Sequence, residues 1–389
     1  MPQFELLKRS FIDDDLYNFS MALAFQLFPD VKVRYKYINR MKGYKFAEGF
    51  DRILQEQCEM CEDLRFLPHE EKFFETMPWY PRTFINSLRG TRFDSKAVKI
   101  SQKDGVLNIA IEGYPYEVCL WECTLLPTIT ELSYRYPTPK YAEDGWMDKI
   151  KQKADKLAAY KVNWADFGTR RRFSSCVHEH VVRIMSDYQP YFRGTSNVHF
   201  AEKYKVKAVG TYAHQWEQLM QAIYGPRMAA VMAMKHWQET YHGNLGTALS
   251  DTLTTNYFLK VFDSYYANLF QGVRQDSGDP YIFADKIIAH YKNLGINPMT
   301  KIIVFSDGLD VDKAIALNKY CEGKILCTFG IGTNLVSDVG HTPMNHVIKM
   351  SEVFVNGEWV PVVKLSDDLG KVTGDLEQVY HVMRELRIK

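Results

Sequence analysis

The stretch KIIVFSDGLDVDKAIALNKYCEGKILCTFGIGTN, Lys301 to Asn334, holds two apolar runs, KIIVFS and KILCTFG, with a stretch of helical length between them. Each run ends in a polar turn, Ser306-Asp-Gly308 after the first and Gly330-Ile-Gly-Thr-Asn334 after the second. An apolar run of strand length, a polar turn, a helix and another strand is the unit of a parallel sheet. Working outward, NWADF, PYFRGT, KAVG, GTALS and QGVRQ read as further strands, with amphipathic helices such as PRMAAVMAMKHWQETY and NYFLKVFDSYYANLF between many of them. The strand count favours an irregular β/α barrel over an open sheet and places it at residues 125–335.

The chain ends differ from this middle. DDDLYNFSMALAFQLF predicts a helix, VKVRYKYI a strand by its β-branched and aromatic content, and residues 46–88 return to a helical pattern. KAVKISQKDGVLNIAIEGY alternates apolar and polar residues on either side of Asp104-Gly105, and HVIKMSEVFVNGEWVPVVKLSD does the same around Asn356-Gly357. Both predict antiparallel hairpins. The expectation is an α/β protein with a second, discontinuous α+β domain built from residues 1–124 and 336–389.

Composition excludes several classes of function. The chain has 389 residues, 46% of them hydrophobic, which suits a large buried core. Lys plus Arg (48) nearly balance Asp plus Glu (47), so no overall field favours nucleic acid or an anionic membrane. The longest apolar run, MAAVMAM from Met228, is too short for a membrane span, and the N-terminus MPQFELLKRSFIDDD lacks a signal-peptide core. Seven irregularly spaced cysteines argue for a reducing compartment, and the expected location is the cytoplasm. The CEMC at Cys58–Cys61 has no second ligand pair. The HEH at His178–His180 has i,i+2 spacing, which diverges on a helix, and is expected on a solvated helix face.

The polar residues cluster just past the ends of the candidate strands. They are Asp166 to Arg172 (DFGTRRR), Gly194 to Asn197, Gly210 to His214, Asp251-Thr252, Arg274 to Asp279 (RQDSGD), Ser306 to Gly308 and Gly330 to Asn334. In a β/α barrel these positions converge on the face where active sites are built. FGIGTN can turn backbone N–H groups toward a phosphate. Helix capping explains Asp279 and Pro280 but not Arg274 and Asp276. Arg170 to Arg172 at a helix start would oppose the helix dipole, so an anionic partner accounts better for at least one of them. Arginines, a phosphate cradle and carboxylates suited to Mg²⁺ or to ribose hydroxyls describe a site for a phosphorylated sugar that carries a pyrophosphate.

These motifs resemble the nicotinate phosphoribosyltransferase family, collinearly over nearly the whole chain: DLY at Asp15, LWE at Leu120, DFGTRRR, GTSN, GTYAHQW at Gly210, RQDSGDP, FSDGLD at Phe305, FGIGTNL and KLSDDLGK at Lys364. Asp14 and Asn18 stand where the family often has Thr and Lys, and Thr124 where a proline is usual. The resemblance implies formation of nicotinate mononucleotide and pyrophosphate from nicotinate and phosphoribosyl pyrophosphate, in salvage toward NAD, with ATP as co-substrate and Mg²⁺ as cofactor. It implies that His214 is the histidine that ATP phosphorylates. Arg274 and Asp276 match residues contacting the phosphoribosyl substrate and nicotinate. Asp251 matches an acid near ribose and pyrophosphate in the related nicotinamide enzyme. Gly332 and Thr333 match the turn holding the 5′-phosphate, with Asp307 on a ribose hydroxyl. Phe167 and Tyr17 match aromatics that sandwich the pyridine ring, Tyr17 arriving from the neighbouring subunit of a homodimer. Arg170 is the expected carboxylate or phosphate partner, with Arg171 and Arg172 as alternatives for the nicotinate carboxylate. Thr195, Asn197, Ser277 and Gly330 join the substrate-binding set through the motifs they stand in.

Three rivals fit less well. The nicotinamide enzyme is longer and reads DFGYR in place of DFGTR. A quinolinate-type enzyme needs no ATP and no GTYAHQW. A barrel that had lost catalysis would not be expected to keep RQDSGDP.

Overall fold

In the computed structural model, which describes residues 4–388, the hairpin signals fold as their turn residues dictate. Asp104 and Gly105 both take positive φ (52° and 75°), as do Asn356 and Gly357 (52° and 87°), which is what a two-residue turn needs to match the twist of its strands. The turns join β2 (Val98–Lys103) to β3 (Val106–Gly113) and β10 (His346–Val355) to β11 (Glu358–Pro361). β1 (Lys32–Asn39) lies between the hairpins, antiparallel to β3 and to β10, and gives a five-stranded sheet of order β11-β10-β1-β3-β2. The register Lys32↔Phe354 to Asn39↔His346, with one irregularity at Arg34/Tyr35, ties the two chain ends together.

The middle forms a six-stranded sheet of order β5-β4-β9-β8-β7-β6, every pair parallel. Its strands are β4 (Trp164–Asp166), β5 (Phe192–Thr195), β6 (Thr247–Leu249), β7 (Gly272–Gln275), β8 (Ile302–Phe305) and β9 (Leu326–Ile331). KAVG, expected as a strand, contributes one bridge, Ala208 to Thr195. Ala208 and β6 share no ladder. Across this gap the Leu249 N–H donates to the Tyr212 hydroxyl (3.1 Å). The barrel is therefore irregular where the helix Leu16–Phe25 abuts it.

Two helical expectations resolve differently. Pro226–Tyr241 is one helix that starts on its proline, as an N1 proline favours. The stretch 256–270 splits into Thr255–Val261 and Ser264–Leu269, because the Asp263 carboxylate caps Tyr265 and Tyr266 and so starts a new helix. His178 is a correction: it is fully buried on its helix, with Nε2 2.6 Å from Asp166 Oδ2, and not on a solvated face. Cys58 and Cys61 are buried thiols on the helix Phe50–Cys61.

One helix positions the site. His214–Tyr224 is anchored by Trp216, whose indole N–H donates to the Ala233 carbonyl (3.0 Å) and whose ring packs on Trp237. The terminal domain docks on its other side: Gln221 accepts from Val363 N (2.8 Å), and the Gln218 amide donates to Met350 O (3.4 Å). The helix that opens with His214 is thus held between barrel and terminal domain, and residues of both domains face one cavity.

Candidate active site

A cavity of about 560 Å³ opens at the barrel mouth. Its barrel wall comes from strand ends: Phe167, Arg170 and Arg171 after β4, Asp276 after β7, Asp307 after β8, and Gly330, Gly332 and Thr333 at the end of β9. His214 lines it as well. Gly330 is required by packing, because a Cβ there would lie 2.3 Å from the Phe167 ring. Among the described residues Arg274, Ser277, Thr195, Asn197 and Tyr17 are not part of this lining.

His214 is buried, and its Nε2 lies 2.9 Å from Asp251 Oδ1 and 3.5 Å from Asp276 Oδ2. Burial, with the Lys364 charge adding to it, pushes the imidazole pKa down to about 4, so the ring is neutral at physiological pH. Burial opposes the charge of Asp251, but His214 and Lys364 hold its carboxyl below the ordinary range. Asp251 Oδ2 accepts from Ser277 Oγ (2.6 Å) and Lys364 Nζ (2.8 Å). Ser277 therefore orients Asp251 rather than facing the cavity.

Arg274 is likewise tied to its neighbours. Its guanidinium donates to Asp276 Oδ1 (2.8 Å) and Ser306 Oγ (2.9 Å). Asp276 stays ionised: burial raises its pKa, but Arg274 and then His214 lower it well below the usual range.

Of the three consecutive arginines, Arg172 is committed elsewhere. It makes two 2.8 Å hydrogen bonds to Asp13 in a buried pair, while Arg170 and Arg171 face the cavity. Arg170 stands 3.6 Å from Glu122. Thr195 and Asn197 are corrections. Both are fully buried: Thr195 donates to Asp166 Oδ2 (2.6 Å), and Asn197 donates to Asp13 Oδ1 (2.8 Å) while capping Phe200 N. Tyr17 does not line the cavity within its own chain: its ring is 7% exposed and its hydroxyl donates to Glu122 Oε2 (3.1 Å).

Sequence reading missed the cations of the terminal domain. Arg40, Lys349, Lys364 and Lys371 all line the cavity. Lys371 pairs with Asp307 and donates to the Asp276 carbonyl (3.0 Å), and burial pushes Lys349 down to about 8. The KLSDDLGK motif carries two of them and was a usable signal. Lys349 and Arg40 lie in or beside alternating strands and carry none.

The ligand atoms of His214, Asp251 and Asp276 lie within 4.8 Å of one another. Asp251, however, has both oxygens taken, by His214 on one side and by Ser277 and Lys364 on the other. Mg²⁺ prefers carboxylate oxygens completed by phosphate and water. Asp276 Oδ2 and Asp307 fit that donor set; the imidazole does not.

Comparison with known proteins covers nearly the whole chain. The sequence profile of the nicotinate phosphoribosyltransferase (NAPRTase) family matches residues 162–388, and that of the NAPRTase N-terminal domain matches residues 12–130. The nicotinate phosphoribosyltransferase of Desulforapulum autotrophicum is 41% identical over 97% of this chain and 98% of its own. That of Chromohalobacter salexigens is 42% identical over 97% and 98%. Among solved structures, nicotinate phosphoribosyltransferase from Porphyromonas gingivalis superposes with a TM-score of 0.95 at 37% identity, covering 98% of this chain and 100% of that one. The Vibrio cholerae structure gives 0.92 at 34%, covering 98% and 94%.

Proposed function

The chain belongs to the nicotinate phosphoribosyltransferase family, and on that premise we propose that it joins nicotinate to phosphoribosyl pyrophosphate, in salvage toward NAD, and draws on ATP through a phosphohistidine at His214. The observation that carries the ATP step is the placement of His214: a neutral imidazole, inside the cavity with the glycine-rich turn, at the first position of an 11-residue helix. With Asp251 on Nε2, the favoured tautomer keeps its hydrogen there and leaves the lone pair on Nδ1. That lone pair attacks the γ-phosphorus, the bond from phosphorus to the bridging oxygen breaks, and ADP leaves with the electron pair. The positive charge gained by the ring falls against Asp251, and the new phosphoryl group sits at a helix N-terminus, where the dipole favours anions.

For glycosyl transfer, backbone N–H groups of Gly330 to Asn334 supply the phosphate cradle, and the Phe167 ring beside Gly330 offers a face for the pyridine. Arg170 and Arg171 are the two arginines of DFGTRRR that face the cavity and suit the nicotinate carboxylate. Positive charge develops on the anomeric carbon and negative charge on the departing pyrophosphate; Asp276 suits the first, and Lys349 and Lys371 suit the second. Mg²⁺ held by Asp276 and Asp307 would screen the pyrophosphate charge. The homodimer with shared active sites, Tyr17 among the shared residues, is carried forward on the family resemblance. No helix among the described residues is long and apolar enough to cross a membrane. The free cysteines support a cytoplasmic location.

The test is ATP hydrolysis and mononucleotide formation with nicotinate or nicotinamide, each with and without phosphoribosyl pyrophosphate. Turnover coupled to nicotinate is expected. Equal or better use of the amide would overturn the substrate assignment.

A further inference from the structure

Lys364 is not needed to explain the fold of the barrel, yet it penetrates to the centre of the site. It leaves the terminal domain after β11, and its backbone is fixed on both sides. Lys364 N donates to Thr373 O and Thr373 N to Lys364 O (2.9 Å each), and Leu365 N donates to Thr252 O (2.8 Å), the residue after Asp251. From this clamp the ammonium reaches Asp251 Oδ2 at 2.8 Å, with the two side chains 4% and 1% exposed. Ser277 Oγ shares the same oxygen, so Asp251 has one oxygen for the lysine and serine and the other, Oδ1, for His214 Nε2.

We propose that Lys364 is a positioning residue for the phosphohistidine step, acting through Asp251 to hold His214 in the tautomer whose free lone pair is on Nδ1. The inference rests on the phosphohistidine reading above. A carboxylate with a hydrogen-bonded hydroxyl as its one other partner is poorly compensated in a buried setting. Without the ammonium, Asp251 gains by rotating or by holding a proton. In either arrangement it stops being an acceptor fixed on Nε2, and the ring hydrogen is free to occupy Nδ1. The nucleophilic nitrogen is then lost or exchanged, although the imidazole itself remains in place. Because the lysine comes from the terminal domain, the tautomer of a barrel histidine depends on that domain being docked.

The full-length enzyme and its Lys364→Met and Lys364→Arg variants, each checked for folding by circular dichroism, are incubated with ATP. Phosphoenzyme is then followed by γ-³²P label and by ³¹P NMR, which separates the two phosphohistidine isomers. Wild type should carry its label on Nδ1. Lys364→Met should form phosphoenzyme about 10-fold more slowly or worse, with residual label redistributed toward Nε2, and Lys364→Arg should restore both rate and isomer. A merely structural lysine would lower the folded fraction without moving the isomer. Folded Lys364→Met labelled at wild-type rate and only on Nδ1 overturns the inference. Wild type labelled on Nε2 overturns it as well. No label on wild type instead removes the phosphohistidine reading on which it rests.

Discussion

Glu217 follows His214 by one helical turn, is 3% exposed, and has the Tyr212 and Thr252 hydroxyls and the Asp251 carboxylate nearby. Burial, against the pull of Thr252 and with Asp251 adding to it, lifts its pKa from 4.5 to about 8. The folded protein therefore holds a proton that the unfolded chain releases above pH 4.5. Stability from this group is complete below the unfolded pKa and is lost as pH rises to the folded one. Each pH unit in that window costs about 1.4 kcal/mol, or roughly 3 kcal/mol by neutrality. Glu217→Gln keeps the shape and needs no proton, so its stability relative to wild type should climb with pH. For a chain of this size, about 1 kcal/mol moves Tm by ~1 °C. Thermal unfolding at about pH 5 and about pH 7.5 should show the variant gaining roughly 4 °C on wild type between the two conditions. A difference that is flat with pH, or falls as pH rises, would refute a neutral Glu217. An ionised Glu217 would add a carboxylate beside Asp251, the partner of the histidine proposed to carry the phosphoryl group.

Other substitutions separate positioning from contact. Arg172→Met strands Asp13 in the interior and should cost about 3–5 kcal/mol in chemical denaturation, with ATP labelling per folded molecule unchanged. Arg274→Ala frees Asp276 and should lower kcat/KM by about two orders of magnitude, roughly 3 kcal/mol, with circular dichroism unaltered; near wild-type kinetics would contradict the role given to Asp276. Gly330→Ala drives a methyl into the Phe167 ring, so titration calorimetry should show nicotinate affinity falling more than phosphoribosyl pyrophosphate affinity.

Much of the architecture was legible because it rests on local chemistry. Asp-Gly and Asn-Gly announced both hairpins, and the strand-turn-helix rhythm around Lys301 to Asn334 announced the parallel sheet. KAVG failed as a strand because a single bridge to Thr195 is all that the gap beside the helix Leu16–Phe25 allows. The site was legible as a location more than as a set of directions. Standing at a strand end does not say which way a side chain points: Thr195 and Asn197 turn inward to Asp166 and Asp13, and Arg172 leaves the cavity that Arg170 and Arg171 enter. Lys349 and Arg40 were invisible because they reach the barrel from another domain with no motif around them, and only the docking of that domain on the helix His214–Tyr224 brings them in.

The central claim is that His214 carries a phosphoryl group. Incubating wild type and His214→Ala with γ-labelled ATP, and assaying the label in acid and in base, tests it most directly. Wild type should gain an acid-labile, base-stable label. The variant should gain none and still form nicotinate mononucleotide slowly without ATP, since Asp276, Asp307 and the Gly330–Asn334 turn remain. Equal labelling of folded His214→Ala and wild type would contradict the account and move the phosphoryl group to another nucleophile.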